Sequence, residues 1–206
     1  QIYLRLERGL SKNTIENYTF DIEKLVLFLH QHDIAVSPIT ITEETIQQFI
    51  YEISSKVNAR SQSRVISGLK SFFNYLVFED YRKDTPLELI EVPKTGRKLP
   101  DTLATEEIDA LISAIDLSTP EGERNRAMLE TLYSCGLRVS ELVGLKISDL
   151  FFEEGFIKIT GKGNKQRFVP VGGSTIKYIT SYLNLIRVHY PVQKGHEDTL
   201  FLNRRG

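Results

Sequence analysis

Between residues 133 and 171 the apolar pattern changes period, from one that suits a helix to one that suits strands. The stretch reads YSCGLRVSELVGLKISDLFFEEGFIKITGKGNKQRFVPV. Gly136 breaks the preceding apolar run, and Val139, Leu142, Val143 and Leu145 then recur at helical spacing. Further on, residues 156–160 (FIKIT) and 167–171 (RFVPV) alternate and are rich in β-branched side chains. Between them, GKGNKQ has the chemistry of a hairpin turn. The chain must therefore place a helix start and an antiparallel hairpin close together in sequence.

Two basic residues stand at these junctions. Arg138 opens the new helix, where free N–H groups and partial positive charge favour anions. Its planar fork suits a phosphate. Glu141, one turn on, is placed to accept hydrogen bonds from Arg138 or from first-turn N–H groups. Lys162 occupies the hairpin tip, with Lys165 beside it and Arg167 at its base, and almost no acid nearby. Taken singly, each feature reads first as a surface arginine or a solvated turn. The glycines do not form a phosphate loop, because G-x-x-x-x-G-K-[ST] is absent.

The motifs together resemble one family. C-G-L-R-V-S-E-L at 135–142 followed by G-K-G-N-K-x-R-x-V-P at 161–170 is similar to the tyrosine recombinases, above all their Xer and phage-integrase-like branch. The likeness extends to GLSKNT at 9–14 and SGLKSFF at 67–73, and so covers nearly the whole chain.

Composition is compatible with that family without demanding it. The 206 residues suffice for one large or two small domains, with 41% hydrophobic and 26% charged residues. No apolar run is long enough for a membrane span. No secretory signal is visible, although the chain starts at Gln1 and not at Met. The single cysteine, Cys135, excludes an intrachain disulfide and fits a cytoplasmic protein, and the four histidines have no metal-site spacing. The net charge of −1 argues against a nucleic-acid partner unless charges segregate. Bases do gather at 60–70 and 162–167, away from acid pairs such as Glu43-Glu44 and Glu153-Glu154.

In chain order, Ser11 is an N-cap candidate for a helix running from Asn13 to about His32, with Ile15, Tyr18, Ile22, Leu25 and Leu29 inward. A second helix opens at Thr42-Glu43-Glu44-Thr45. Residues 58–61 read as a turn, and a third helix carries Val65, Ile66, Leu69, Phe72, Phe73, Leu76 and Val77 on one face. Its start supplies the groove-reading candidates Arg60, Ser61, Ser63, Arg64 and Lys70, since short polar side chains and arginines there can reach a backbone or base edge. Lys12, Asn13 and Thr14 are candidates for phosphate contacts, as are Lys165 and Arg167. Asp84-Thr85-Pro86-Leu87 is expected to start a short helix. Residues 91–104, with three prolines or glycines and three bases in the first ten, read as a linker. Thr105-Glu106-Glu107 reads as a capped helix start, residues 120–135 as a helix and residues 174–189 as another. Arg124 and Arg126 are expected in surface or salt-bridge positions.

The expected fold is mainly α with a small β-sheet or hairpin. By resemblance, residues 1–90 form a helical DNA-clamping domain of the SAM-like, core-binding type. Residues 105–206 form the N-terminal part of an α+β catalytic domain. The resemblance implies DNA strand cleavage through a 3′-phosphotyrosyl intermediate. Arg138 would hold the scissile phosphate, Lys162 act as general acid, and Glu141 orient the site. It implies double-stranded DNA as partner, a homo- or hetero-tetramer on it, and no metal or cofactor. Arg138 and Lys162 are expected to converge on one phosphodiester held between two lobes.

The family's later motifs, His-x-x-Arg and the nucleophilic tyrosine, are not found. His189 is followed three on by Val192, and His196 by Thr199. Tyr178, Tyr182 and Tyr190 read as packing residues. The nucleophile is accordingly expected beyond residue 206, and this polypeptide is expected to bind DNA without cleaving it. Alternatives from other classes are a non-catalytic DNA-binding module or regulator on the same scaffold, a type IB topoisomerase, and a helical protein-interaction domain.

Overall fold

The computed structural model describes every residue except Thr95, Arg97 and Lys98. Those three belong to the expected linker and lie outside the described residues. The chain divides into two units, Gln1–Leu99 and Pro100–Gly206.

The first unit is helical. Four helices, α1 (Ile2–Leu6), α2 (Lys12–Gln31), α3 (Glu43–Lys56) and α4 (Ala59–Phe78), follow in order. Ser11, Thr42 and Asn58 each lie in extended backbone, and each side chain accepts the N–H three residues on. That bond satisfies one of the orphan donors of the first turn. The expected turn at 58–61 is thus one cap residue followed by helix. Asp33 and Asp80, at positive φ, end α2 and α4, with the next residue's N–H reaching back to Leu29 and Leu76. The core joins Leu25 and Phe28 of α2, Ile46, Phe49 and Ile53 of α3, and Val65, Ile66, Leu69 and Phe73 of α4.

Among the described residues, one charge lies inside this unit. Asp21 is fully buried, paired with Arg64 at 2.8 Å and Lys24 at 3.1 Å. Gly68 makes the close approach there: an added Cβ would lie 3.2 Å from Asp21 Oδ2 and 3.3 Å from the Tyr18 ring.

The helix expected from Asp84 does not form. Thr85 and Leu87 accept single turn bonds from Glu88 and Ile90, and Leu87 and Ile90 plug the core instead.

The second unit packs helices against a three-stranded antiparallel sheet of order β1-β2-β3. Helix α5 (Thr105–Ser113) precedes α6 (Pro120–Ser134) and the short α7 (Val139–Val143). The cap of α5 is Ala104 and not Thr105: the Glu107 carboxylate accepts the Ala104 N–H at 2.8 Å. The strands are β1 (Leu150–Phe151), β2 (Phe156–Thr160) and β3 (Gln166–Pro170). Opposite residues share a face, so Ile157 pairs with Val169 and Ile159 with Arg167 on the inner side. Phe151, Phe156 and Phe168 form an aromatic cluster, with ring centroids 4.8–6.4 Å apart.

The expected helix at 174–189 changes pitch. It is α-helical over Gly173–Ser181, π over Tyr182–Ile186 and 3-10 over Arg187–His189. The change falls at Tyr182, buried in the core, whose hydroxyl accepts the Leu202 N–H at 3.0 Å. The apolar segment at 199–202 is tied down on several sides. Leu200 donates to the Leu145 carbonyl, Arg187 to those of Glu197 and Thr199, and Arg124 to that of Leu202. Arg126 pairs with Glu130 at 2.8 Å and stacks on the Tyr178 ring.

Phe73 is fully buried in the first unit. Phe73→Ala should destabilise that unit by about 3–5 kcal/mol. Urea unfolding followed by circular dichroism would check this, and a loss under about 1 kcal/mol would contradict the packing described.

Candidate active site

The position of Arg138 is set by how α6 ends. Gly136 takes φ +58°, and the N–H groups of Gly136 and Leu137 bond back to the carbonyls of Tyr133 and Leu132. This is a Schellman closure, which favours glycine at the left-handed position. Leu137 turns into the core, and Arg138 in extended backbone becomes the cap of α7. Its side chain is 75% exposed.

Glu141 holds this cap. One oxygen, Oε2, accepts the Arg138 backbone N–H at 2.9 Å, as the third helical residue does in a capping box. The other, Oε1, accepts Arg138 Nη1 at 3.1 Å. Of the alternatives foreseen for Glu141, the bond from Arg138 is made, and the backbone donor is the cap's own N–H and not one from the first turn.

The larger share of Glu141 belongs to Arg167. Arg167 Nη1 donates to Oε1 at 2.8 Å and Nη2 to Oε2 at 2.9 Å, a bidentate fork. Arg167 was expected to face DNA from the hairpin base. Its register opposite Ile159 turns it inward to the carboxylate. The Glu141 side chain is only 3% exposed, so its charge needs such partners.

The hairpin reaches the same carboxylate through its backbone. A Cβ at Gly161 would lie 3.1 Å from Glu141 Oε1, so β2 leaves the sheet directly against α7. The tip closes with the Gly161 N–H on the Lys165 carbonyl at 2.8 Å, and Gly163 and Asn164 take positive φ. Lys162 and Lys165 project into solvent from this tip. Glu141 thus joins the Arg138 cap to the root of the Lys162 turn. Two guanidinium groups on one carboxylate leave a net positive charge, and the remaining Arg138 nitrogens have no hydrogen-bond partner among the described residues.

The candidates of the first unit divide. Lys12 and Arg60 are exposed in the first turns of α2 and α4, Lys12 lying 3.7 Å from Glu16. The Asn13 carbonyl accepts the Asn17 amide, the Thr14 hydroxyl meets that of Ser11, and the Ser61 N–H is capped by Asn58. Three others are turned to structural use. Arg64 bonds to Asn17 and buried Asp21, Lys70 Nζ donates to the Ile90 carbonyl at 2.8 Å, and the Ser63 hydroxyl donates to the Pro93 carbonyl. Asp21 was missed, although it lies three residues after Tyr18 and four before Leu25, within the apolar stripe of α2.

Among the described residues no group of three or more His, Cys, Asp or Glu could hold a metal ion, and no helix is long and apolar enough to cross a membrane.

Comparison with known proteins places the chain in the class of tyrosine-type site-specific DNA recombinases. The model of the phage integrase family matches residues 101–206, and that of the phage integrase N-terminal SAM-like domain matches residues 1–80. The chain belongs to the phage integrase family. It is 38% identical over 205 residues to the tyrosine recombinase XerD of Oceanobacillus iheyensis, and 40% identical over the same length to that of Staphylococcus saprophyticus. Each match takes in 99% of this chain and 69% of the relative. Among solved structures, the XerH site-specific recombinase bound to palindromic difH substrate, a post-cleavage complex, superposes with a TM-score of 0.74 at 25% identity. That match covers 97% of this chain and 59% of the XerH chain.

The Arg167 fork, then the Arg138 N–H, hold the Glu141 carboxyl down from the ordinary 4.5 to about 2, against the opposing effect of burial. A carboxyl depressed in the folded state adds stability that is complete above its unfolded value. That stability is lost as pH falls from 4.5 through about 2. Urea unfolding of the wild type should therefore weaken more steeply with acid in that window than unfolding of Glu141→Gln. Equal slopes would mean that Glu141 carries no such linkage.

Proposed function

We propose that the chain supplies the DNA clamp and part of the catalytic machinery of a recombinase that breaks and rejoins DNA through a 3′-phosphotyrosyl intermediate. A tyrosine hydroxyl attacks the scissile phosphorus and expels the 5′-oxygen, which leaves with a proton. The phosphodiester energy is kept in the phosphotyrosyl bond. The 5′-hydroxyl of a second strand then attacks and releases the tyrosine. Residues 1–90 act as the helical clamp, 91–104 as the linker and 105–206 as the catalytic portion.

Negative charge grows on the non-bridging oxygens during attack, so a fixed cation must meet it there. Arg138 takes that role with the open part of its fork. Lys162, on the hairpin tip, gives the leaving oxygen its proton. Glu141 orients both. The observation that carries this reading is the Glu141 carboxylate, which binds the Arg138 cap and abuts the hairpin root. Tyr182 is an unsuitable nucleophile, since it is buried and its hydroxyl is engaged by Leu202. Tyr178 lies under the Arg126 guanidinium. By resemblance to the family, the attacking tyrosine is assigned outside residues 1–206.

Lys12, Asn13, Thr14, Arg60 and Ser61, on the first turns of α2 and α4, are the phosphate- and groove-facing positions in the clamp. Lys165 extends the contact from the hairpin. Four such molecules on paired sites make the working assembly.

Lys162→Ala in the full-length protein should slow cleavage of a nicked suicide substrate by roughly 10²–10⁴-fold while DNA affinity stays within a few-fold. A loss of affinity with no separate loss of cleavage would instead make this a non-catalytic DNA-binding module. Binding by residues 1–206 should fall with salt, with a log–log slope of about −0.9 for each phosphate neutralised. A flat salt response would remove DNA as the partner.

A further inference from the structure

We propose that Arg167 is a positioning residue: it neutralises Glu141, and so keeps Arg138 free for the scissile phosphate and the Lys162 hairpin seated on α7. This rests on the recombinase reading above and deepens it.

The four hydrogen bonds to Glu141 are unequal. Arg167 supplies two side-chain bonds, at 2.8 and 2.9 Å, one to each oxygen. The Arg138 side chain supplies one, at 3.1 Å, and its backbone N–H the fourth. The carboxylate's charge is thus met mainly by Arg167, and Arg138 is left 75% exposed against 41% for Arg167. Without Arg167, a carboxylate this buried has Arg138 as its one touching cation among the described residues. It would draw that fork inward and cancel the charge needed at the phosphate. Arg167 is also a mechanical link: it belongs to β3, while Glu141 belongs to α7, and Gly161 at the start of the turn lies against the same carboxylate. The ion pair therefore closes the hairpin root onto the helix that carries Arg138.

Removing the acid should repair the loss of the base, a result that a DNA-contacting or merely structural arginine does not give. In the full-length protein, Arg167→Gln should slow suicide-substrate cleavage about 100-fold, as expected for a displaced catalytic group. DNA affinity and its salt slope should be unchanged. Glu141→Gln combined with Arg167→Gln should recover at least tenfold of that loss, and Arg167→Lys should recover part of it. A lower affinity with the salt slope reduced by about 1 would make Arg167 a phosphate contact and overturn the proposal. A double variant no better than Arg167→Gln would overturn it as well.

A second readout needs no chemistry. In residues 1–206, carbon-detected NMR of the Glu141 carboxyl should show its midpoint rising toward the ordinary 4.5 in Arg167→Gln. An unmoved midpoint refutes the neutralising role even where cleavage is impaired. If instead the midpoint moves while wild-type protein fails to cleave, the positioning contact stands and the recombinase reading fails.

Discussion

A single buried carboxylate, Glu141, organises the second unit. Glu141 is acceptor to a backbone cap, to one tine of an exposed arginine and to both tines of a second arginine. Taking a carboxylate out of water is costly unless every lone pair finds a donor. That demand fixes where α7 begins, how far the hairpin root can stand from it and which way Arg138 must leave the surface. The surrounding core, from Ile157 and Ile159 to Ile179, Tyr182 and Leu200, supplies the apolar frame that makes the demand strict.

The electrostatic sum explains why this arrangement suits a phosphoryl reaction. One negative and two positive charges leave a residual positive site whose outward part is the less-used guanidinium. An attacked phosphodiester gains charge on its non-bridging oxygens, and a cation already held in place meets it without reorganising. The lysine-bearing tip is exposed, and the Gly161 N–H on the Lys165 carbonyl closes the turn that carries it.

The helices were legible where chemistry and period coincide. Ser11 and Thr42 stand just before the first residue of α2 and α3; of the apolar stripe read on α2, Ile15 and Leu25 are buried, whereas α6 buries Gly122, Ala127 and Thr131 and leaves Tyr133, expected in its core, 46% exposed. Legibility failed where partners are remote. The change of pitch at Tyr182 depends on Leu202, and the Asp84 region is held by Leu87 and Ile90 entering a core built from earlier helices. β1 is two residues long and has no period to read. Arg138, Glu141 and Lys162 were legible because local rules set them: a glycine stop, a cap and a turn. Arg167 was read through its charge alone, and its fork on Glu141 was not foreseen. Its alternation with Val169 and its register opposite Ile159 put it on the face that Ile157 and Ile159 share, where its side chain stays 41% exposed.

The interior ion pair of the first unit has a consequence for how its helices recognise each other. Isoleucines and phenylalanines forgive a neighbour that rotates by one position, since any apolar surface serves. Asp21 does not: turned by one residue on α2, about 100° around the axis, it would lose Arg64 of α4, while Lys24, three residues on along the same helix, would turn with it. The bare surface at Gly68 admits the carboxylate at one height along α4. The pair works as a key in a slot, selecting a single rotational and axial setting from the several that greasy packing alone would accept.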